Sequence, residues 1–341
     1  MEFESISRPA LARVYANAGH FLSIVPLDEW SARLIENFLS GFHLTRVADS
    51  SVIPSSSSYS IRIRFTENLP SIPPAVTSFE IEHGRCHQVG SNLYLAIEDS
   101  LIVVPQGGEM DIWVGASEHA RQSASLMNLM AYCLEIALRR CGLYELHGAG
   151  VLEPSHNWGA LILGASGSGK STLASLLAVD GWNYLTDDTL LLEDLDGTIE
   201  ARGLRKAFAL SEKTLDAIGT PQISSGLRNQ VSSDPSKRRV EPKFAFPDRW
   251  VNSCVPQALL FASITHDPVS NVKRMRSSDA MIRLIKFNPW ASYDKVTGPD
   301  HLQVLNRLTN QCRAYSLQAG IDILNDPAAA RRLLMPLIES T

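Results

Sequence analysis

One stretch decides the fold of this chain: Ala160-Leu161-Ile162-Leu163-Gly164-Ala165-Ser166-Gly167-Ser168-Gly169-Lys170-Ser171-Thr172. Its apolar start predicts a strand, its middle fits the phosphate-loop pattern G-x-x-x-x-G-K-[ST], and residues 170 to 179 predict a helix. Glycines let successive backbone N–H groups curl around an anion, and the amino end of the helix adds positive charge. We therefore predict that nine residues bind the phosphates of a nucleotide: Gly164, Ala165, Ser166, Gly167, Ser168, Gly169, Lys170, Ser171 and Thr172.

The end of the loop carries the two side chains with the clearest chemistry. The ammonium group of Lys170 is expected to reach the β- and γ-phosphates, and the hydroxyl of Ser171 to take one position on Mg²⁺. A divalent ion held on phosphates prefers oxygen ligands and keeps most of its waters, so one or two protein ligands suffice. The pattern predicts ATP and Mg²⁺ as the bound cofactors.

Two adjacent carboxylates, Asp187 and Asp188, end the next apolar segment, residues 182 to 185. In a parallel α/β sheet ligands bind outside the carboxyl ends of the strands, so this pair should face the terminal phosphate and the metal. Neighbouring side chains of a strand point to opposite sides, so one acid should hold Mg²⁺ or its water while the other accepts a hydroxyl proton. The alternative is a solvated pair at a strand end.

His147 lies on the apolar segment 143 to 152, which precedes the strand of the phosphate loop. A lone histidine in such a segment is more often a hydrogen-bonded core residue than a catalytic group. Pattern alone leaves both interpretations open.

Length and patterning predict two domains. The chain has 341 residues, of which 45% are apolar and 20% charged, a composition typical of a folded protein. Residues 1–118 alternate as short strands around one amphipathic helix at 26–39, which indicates a smaller strand-rich α+β domain for substrate recruitment or assembly. Residues 119–341 show the strand, glycine turn, helix and strand order of an α/β domain with a parallel sheet.

Charge and apolar content exclude several classes of function. The net charge of −5 argues against a nucleic-acid binder, and no apolar run approaches the length of a membrane helix. The amino terminus lacks the basic start of a signal peptide, so we expect a cytoplasmic protein without a membrane partner. The five scattered cysteines favour reduced thiols over disulfides or a zinc cluster.

A basic run, Lys237-Arg238-Arg239, lies between Ser232-Ser233-Asp234-Pro235 and Pro242 and is expected to form a polar loop over the phosphates. Arginine there would stabilise charge on the transferring phosphoryl group or bind an acceptor carboxylate. We favour Arg238 and Arg239 for this role. The alternative is a solvated basic face.

Three segments together resemble one family. Leu146-His147-Gly148, the loop Gly164 to Thr172, and Leu185-Thr186-Asp187-Asp188 come in the same order and similar spacing as in the catalytic domain of HPr kinase/phosphorylase and its kinase-only relatives. The resemblance covers roughly residues 120 to 341. It implies a phosphate-loop catalytic domain of the HPr-kinase and phosphoenolpyruvate-carboxykinase type, which transfers the γ-phosphate of ATP to a serine hydroxyl.

The resemblance also implies residue roles. Lys170 and Ser171 match the phosphate and metal residues, His147 matches a histidine near the reacting phosphate, and Asp187 matches the aspartate that acts as base. Asp188 matches its acidic neighbour, which we assign to the metal. Glu200, in Ile199-Glu200-Ala201-Arg202-Gly203-Leu204, looks like a glutamate that helps to hold Mg²⁺; the alternative is a surface glutamate in a turn.

Departures from the family pattern narrow the expected substrate. Thr172 replaces the usual glutamate of the bifunctional enzymes, and Arg205-Lys206-Ala207-Phe208 replaces the later part of their signature. The chain therefore looks more like kinases found with ribosomally made peptides, including lasso-peptide precursors. The expected acceptor is a serine of a peptide or small protein, and self-association is expected as in HPr-type kinases. A free-serine or small-molecule kinase, and an ATP-sensing regulatory protein without transfer, are the alternatives.

Overall fold

The computed structural model describes residues 12–48, 58–75, 77–115, 124–219, 227–231, 236–326 and 328–339. It divides into a first unit, Met1–Leu143 with Asp294–Thr297, and a second unit, Tyr144–Tyr293 with Gly298–Thr341. This division lies later in the chain than the expected boundary between residues 118 and 119. The reason is that the helix at Ala124–Arg140 packs on strands of the first unit, at Ser58–Thr66 and Ser100–Val104.

The first unit is built on one nine-stranded sheet of order β3-β1-β2-β4-β9-β8-β7-β6-β5. The β2–β4 and β4–β9 pairs are parallel and the other pairs antiparallel. The strands are β1 (Arg13–Asn17), β2 (His20–Pro26), β3 (Thr45–Val47), β4 (Ser58–Thr66), β5 (Thr77–Ile81), β6 (Gly84–Val89), β7 (Asn92–Ile97), β8 (Ser100–Val104) and β9 (Met110–Gly115), and the helices are α1 (Glu29–Leu39) and α2 (Ala124–Arg140).

Helix α1 forms where the apolar spacing predicts it. Asp28 precedes the helix and its carboxylate accepts a hydrogen bond from the Ser31 N–H at 2.7 Å, which satisfies one of the unpaired donors of the first turn. The helix buries Ala32, Ile35 and Leu39. The nine strands and helix α1 give the described part of the first unit the strand-rich α+β character that the sequence predicts.

The second unit contains a nine-stranded sheet, in which β18-β14-β13-β10-β11-β19-β21-β20 are neighbours and β12 also pairs with β10, and a three-stranded sheet of order β15-β17-β16. Its strands are β10 (Tyr144–Glu153), β11 (Trp158–Leu163), β12 (Asn183–Thr186), β13 (Thr189–Leu195), β14 (Thr198–Gly203), β15 (Phe208–Ser211), β16 (Leu227–Val231), β17 (Lys237–Val240), β18 (Ser253–Cys254), β19 (Pro256–Ile264), β20 (Asn271–Arg274) and β21 (Arg313–Ala319).

The helices of the second unit cover the large sheet. They are α3 (Lys170–Val179), α4 (Glu212–Ile218), α5 (Pro242–Ala245), α6 (Ser277–Phe287), α7 (Trp290–Tyr293), α8 (Gly298–Gln311), α9 (Asp322–Asn325) and α10 (Ala328–Glu339). Buried residues of α3 and α10 belong to one hydrophobic cluster, and those of α6 and α8 to a second. Alternate residues of β10, β11 and β19 supply both clusters, so helices lie on both faces of the sheet.

The sheet is mixed rather than parallel as the sequence pattern predicted. Strands β11, β19 and β21 are parallel neighbours, but β10 runs antiparallel to both β11 and β12 and lies between them. Because β10 separates them, β11 and β12 still run in the same direction. Their carboxyl ends, Leu163 and Thr186, therefore flank β10 at Gly148 and Gly150 respectively.

The basic run lies on a strand and not in the predicted polar loop. Strand β17 pairs antiparallel with β15, and Arg239 lies opposite Ala209 while Arg238 lies opposite Leu210. Alternation along a strand places Lys237 and Arg239 on one face and Arg238 on the other. The neighbouring segment 232–235 lies outside the described residues.

Within the described part of the chain, no helix combines the length and the apolar character that crossing a bilayer requires.

Trp182, directly before β12, fixes the start of that strand in the core. Its ring is 2% exposed and meets Trp158 edge-on at 6.0 Å. Replacing it with alanine should lower the free energy of unfolding by about 3–5 kcal/mol, because a large buried cavity is left behind. Urea denaturation of Trp182→Ala measures this loss. Trp250→Ala, at a ring that is 42% exposed, is the control and should lose clearly less; equal losses would contradict the assignment.

Candidate functional site

The loop after β11 curls tightly before helix α3. Gly164 has φ +152°, and a Cβ there would lie 2.7 Å from the carbonyl oxygen of Ala262, so a side chain does not fit at the base of the loop. The Ser168 N–H bonds the Ala165 carbonyl at 3.2 Å, which closes the turn. Helix α3 begins at Lys170, as the pattern predicts, and its amino end faces this loop. The middle of the loop, residues 165–167, is exposed and accessible to an anion.

The ammonium group of Lys170 is held against the loop. Its Nζ donates to the carbonyl oxygens of Gly164 at 2.9 Å and Ala165 at 3.0 Å, and the residue is buried. Burial lowers its pKa, and the charge of Lys237 acts in the same direction against those of Asp188 and Asp187. A phosphate in the loop would offer Nζ a charged acceptor in place of two neutral carbonyls, which is the stronger interaction.

Asp187 is a buried carboxyl group beside the loop. It is 2% exposed, and its Oδ2 accepts a hydrogen bond from the Ala209 N–H at 3.0 Å. Burial and the charge of Asp188 raise its pKa to about 7, while Ala209, the side chain of Ser171 and Arg205 act in the opposite direction. A carboxyl with a pKa near neutrality can accept a proton and release it again at physiological pH.

Asp188 points away from Asp187 into a group of polar side chains. Arg205 Nε lies 2.6 Å from its Oδ2, the Thr189 hydroxyl donates to the same oxygen at 3.1 Å, and His147 Nδ1 lies 3.3 Å from Oδ1. Burial alone would raise the pKa of Asp188, but Arg205 and His147 outweigh it and hold that pKa below its ordinary value. The pKa values of the two neighbouring acids are therefore shifted in opposite directions.

His147 is brought to the site by β10. The Gly148 N–H bonds the Asp188 carbonyl at 2.9 Å, so the backbone of β10 and the acidic pair are directly linked. Desolvation of the half-exposed imidazole, together with three nearby cations, holds the pKa of His147 below its ordinary value against the charge of Asp188. The histidine is therefore a polar residue at the site rather than a core residue.

Arg205, which the sequence motifs do not assign to the site, is placed beside Asp188 by a hairpin whose turn is visible in the sequence. Asp196 and Gly197 have φ of +51° and +92°, the geometry of a two-residue hairpin turn that Asp-Gly favours, and they join β13 to β14. Continuing the residue pairing of β13 and β14 away from this turn places Arg205 opposite Asp188. The Thr186 hydroxyl donates to the Arg205 carbonyl at 3.1 Å and keeps its backbone in place.

The same pairing of β13 and β14 places Glu200 away from Asp188. Glu200 pairs with Glu193, four residues along β13 from Thr189, a separation of about 13 Å along the strand. Its Oε1 pairs with Arg202 at 2.9 Å. The structure therefore does not bring Glu200, expected to hold Mg²⁺, together with Asp188, because hairpin pairing places the two residues apart.

Strand β17, which carries the basic run, directs Arg239 and Lys237 at the site. Arg239, half-buried opposite Ala209, interacts with Asp187 and Asp188, and burial followed by the charge of Arg205 lowers its pKa. Lys237, on the same face, acts on His147 and Lys170. Arg238 faces away.

Arg238 is exposed and pairs with Glu212 at the start of α4. The structure therefore does not bring Arg238, expected to be catalytic, together with Asp187 and Asp188. Lys237, for which the two arginines were favoured as catalytic residues, lies on the face directed at the site.

The donors beside the loop fit a magnesium-bound polyphosphate. The Ser171 side chain interacts with Asp187, so a hydroxyl and a carboxyl oxygen are adjacent at the start of α3. Among the described residues no group of three or more His, Cys, Asp or Glu forms a closed metal site, whereas Mg²⁺ on a nucleotide needs only one or two protein oxygens. Asp188, expected to hold the metal, is instead engaged by Arg205. Thr172 bonds Thr214 at 2.8 Å and ties α3 to α4.

Similarity to known proteins is found among solved structures and not among sequences. No family model and no curated protein sequence matches the chain. Among solved structures, the HPr(Ser) kinase/phosphatase from Coxiella burnetii matches with 14% identity and a TM-score of 0.29, over 57% of this chain and 97% of that one. A similarity at this level assigns no activity to the chain.

The raised pKa of Asp187 predicts a pH-dependent stability. Between the ordinary aspartate pKa of 3.8 and about 7 the folded protein holds a proton that the unfolded chain has released. The stability this group contributes is therefore complete below about pH 4 and is lost as pH rises through 7. The Asp187→Asn variant has no carboxyl that titrates at this position, so it should not lose stability in this way. The free energy of unfolding of the wild type relative to Asp187→Asn should fall by about 1.4 kcal/mol per pH unit across this window. A difference that does not change with pH would contradict the assignment.

Proposed function

We propose that this chain is an ATP- and Mg²⁺-dependent kinase that transfers the γ-phosphate of ATP to a serine hydroxyl of a peptide or small protein, such as a ribosomally made peptide precursor. The observation that carries the proposal is the buried Asp187 carboxyl, whose pKa is about 7, beside Ser171 of the phosphate loop. It combines a phosphate-binding turn with a proton acceptor at one place.

The proposed reaction uses Asp187 as the general base. The acceptor hydroxyl gives its proton to a carboxyl oxygen of Asp187 as its oxygen attacks the γ-phosphorus, and the bond to the β-phosphate oxygen breaks to release ADP. Ala209 holds the carboxyl through its N–H, so the oxygen does not have to be oriented during reaction. A protein that only senses ATP has no need of such a group.

Cations around the loop would stabilise the charge of the transferring group. Lys170 lies in the loop, and Arg239 and Lys237 approach from β17. Mg²⁺ bound with the nucleotide would neutralise further phosphate charge, with Ser171 as its ligand. Asp188 holds Arg205 and His147 at the edge of the site and acts as a positioning residue.

Phosphoryl transfer is tested by intact mass. The protein is incubated with Mg²⁺ and ATP and, separately, with a serine-ended peptide, HPr and free serine. We expect one acceptor to gain one phosphoryl group. Lys170→Ala should abolish the gain, while Asp187→Asn should lower the rate by about 10²–10⁴-fold and still bind ATP, because only the proton acceptor is removed.

The pattern of outcomes separates the alternatives. Transfer to free serine but not to peptide would replace the peptide acceptor by a small molecule. Binding of ATP without any transfer would favour the sensing function. Full transfer by Lys170→Ala or Asp187→Asn would contradict the proposed mechanism.

Adjacent arginines on β17 provide a matched pair of variants. Arg239→Ala should lower the turnover rate by about 10²-fold or more, because it removes a cation directed at the phosphates. Arg238→Ala, whose side chain pairs with Glu212 on the other face, should change that rate by less than about twofold. Steady-state kinetics with the identified acceptor measures both. Equal losses would show that the face of the strand does not decide function.

A further inference from the structure

The three-stranded sheet carries groups of the candidate site although it is separate from the large sheet. Within the described residues, β15, β17 and β16 pair with one another and with no strand of the large sheet. Ala209 of β15 donates its N–H to the carboxylate of Asp187 at 3.0 Å, and Arg239 of β17 lies opposite Ala209. Strand pairing alone therefore does not fix these groups relative to the phosphate loop, which follows β11 of the large sheet.

One face of β15 is packed in the core and the other is polar. Phe208 and Leu210 are each 1% exposed and belong to the hydrophobic cluster that α3 also joins. Alternation along the strand places Ala209 and Ser211 on the opposite face. Apolar packing holds the strand against the core but is not directional. Hydrogen bonds from the polar face are therefore suited to fix how β15 lies relative to α3.

Three hydroxyl groups link this polar face to the helix of the phosphate loop. The hydroxyl oxygens of Thr172 and Thr214 lie 2.8 Å apart, and those of Thr214 and Ser211 lie 3.0 Å apart. Thr172 lies in the first turn of α3, Thr214 lies in α4, and Ser211 ends β15. We call these three residues the hydroxyl chain. It connects the start of α3 to the end of β15 through one residue of α4.

Thr214 is the central member of the hydroxyl chain and is buried. It is 2% exposed, so its hydroxyl is shielded from water and would lose hydrogen bonds without replacement if either neighbour moved. Its N–H donates to the Ser211 hydroxyl at 3.3 Å, which caps the start of α4. Because threonine is branched at Cβ, its side chain has few rotamers and keeps the hydroxyl in one direction.

We propose that Thr214 is a positioning residue that holds β15 and β17 in place relative to the phosphate loop through the hydroxyl chain; this inference rests on the proposed function. One end of the chain, Thr172, lies in the helix that follows the loop. The other end, Ser211, lies two residues from the Ala209 N–H that holds Asp187. The proton acceptor is thereby kept at a fixed place relative to bound phosphates, which lowers the reorganisation needed for transfer.

The first test measures the exchange of backbone amides in the free protein. Hydrogen exchange with mass spectrometry follows peptides that cover β15 and, as a reference, β19. Thr214→Val removes the hydroxyl and keeps the branched side chain, so β15 should exchange about tenfold faster while β19 stays unchanged. Thr214→Ser keeps the hydroxyl and should exchange as the wild type does.

A matched control is provided by a second buried threonine. Thr309 is 3% exposed, and its hydroxyl donates to the carbonyl oxygens of Leu305 and Asn306 in its own helix, α8. Thr309→Val should therefore leave the exchange of β15 unchanged. Unchanged exchange of β15 in Thr214→Val would overturn the inference. Equally faster exchange of β15 and β19 would overturn it too, because Thr214 would then support the whole unit.

The second test separates nucleotide binding from transfer. Thr214→Val should lower kcat about tenfold for the acceptor identified by mass and keep the dissociation constant of ADP with Mg²⁺ within about twofold of the wild type, because the loop retains its own hydrogen bonds. Thr214→Ser should keep the wild-type kcat. An unchanged kcat in Thr214→Val, or weaker ADP binding at unchanged kcat, would contradict the positioning role. Absence of transfer by the wild type would overturn the proposed function instead, and the exchange experiment would still decide whether Thr214 holds β15.

Discussion

The position of β10 between β11 and β12 is the constraint on which the candidate site depends. Because β10 runs antiparallel to both, the carboxyl ends of its two neighbours lie opposite the middle of β10, at Gly148 and Gly150, next to His147. The phosphate loop and Asp187 follow those two ends directly. A hydrogen bond from the Gly148 N–H to the Asp188 carbonyl closes the arrangement. His147, the phosphate loop and Asp187, which lie in three separate segments of the chain, are thus close together.

Two identical side chains, Asp187 and Asp188, have different pKa values because their surroundings differ. Asp187 faces the interior, where low polarity and the neighbouring negative charge favour its protonated form. Asp188 faces Arg205 and His147, which favour its ionised form. The different surroundings of the two side chains therefore shift the pKa values of adjacent aspartates in opposite directions. The hairpin β13–β14 supplies Arg205, and its Asp196-Gly197 turn fixes the register that brings it there.

Much of the architecture could be predicted from local pattern. Helix α3 has the predicted bounds, and the sequence indicated the phosphate loop, the strand before it and the acidic pair. The prediction of a parallel sheet was wrong. A strand buried on both faces has the same apolar pattern whether its neighbours run parallel or antiparallel to it. Helix α8 and strand β21 were missed.

Residue roles were harder to predict where they depend on strand pairing. Glu200 and Arg238 were assigned by motif and charge, and both lie away from Asp188, the first by hairpin register and the second by strand alternation. Arg205 and Lys237 reach the site for the same two reasons. Register follows from long-range pairing and turn geometry, so short motifs do not contain it.

The protonation of Asp187 is the claim that a single measurement tests most directly. Carbon NMR of protein labelled at the aspartate side-chain carboxyls, with Asp187→Asn to assign the signal, follows its titration from pH 4 to 9. The account predicts a midpoint near 7 in the free protein, because burial and the charge of Asp188 disfavour the carboxylate. A carboxylate already ionised at pH 5 in the free protein would contradict the account.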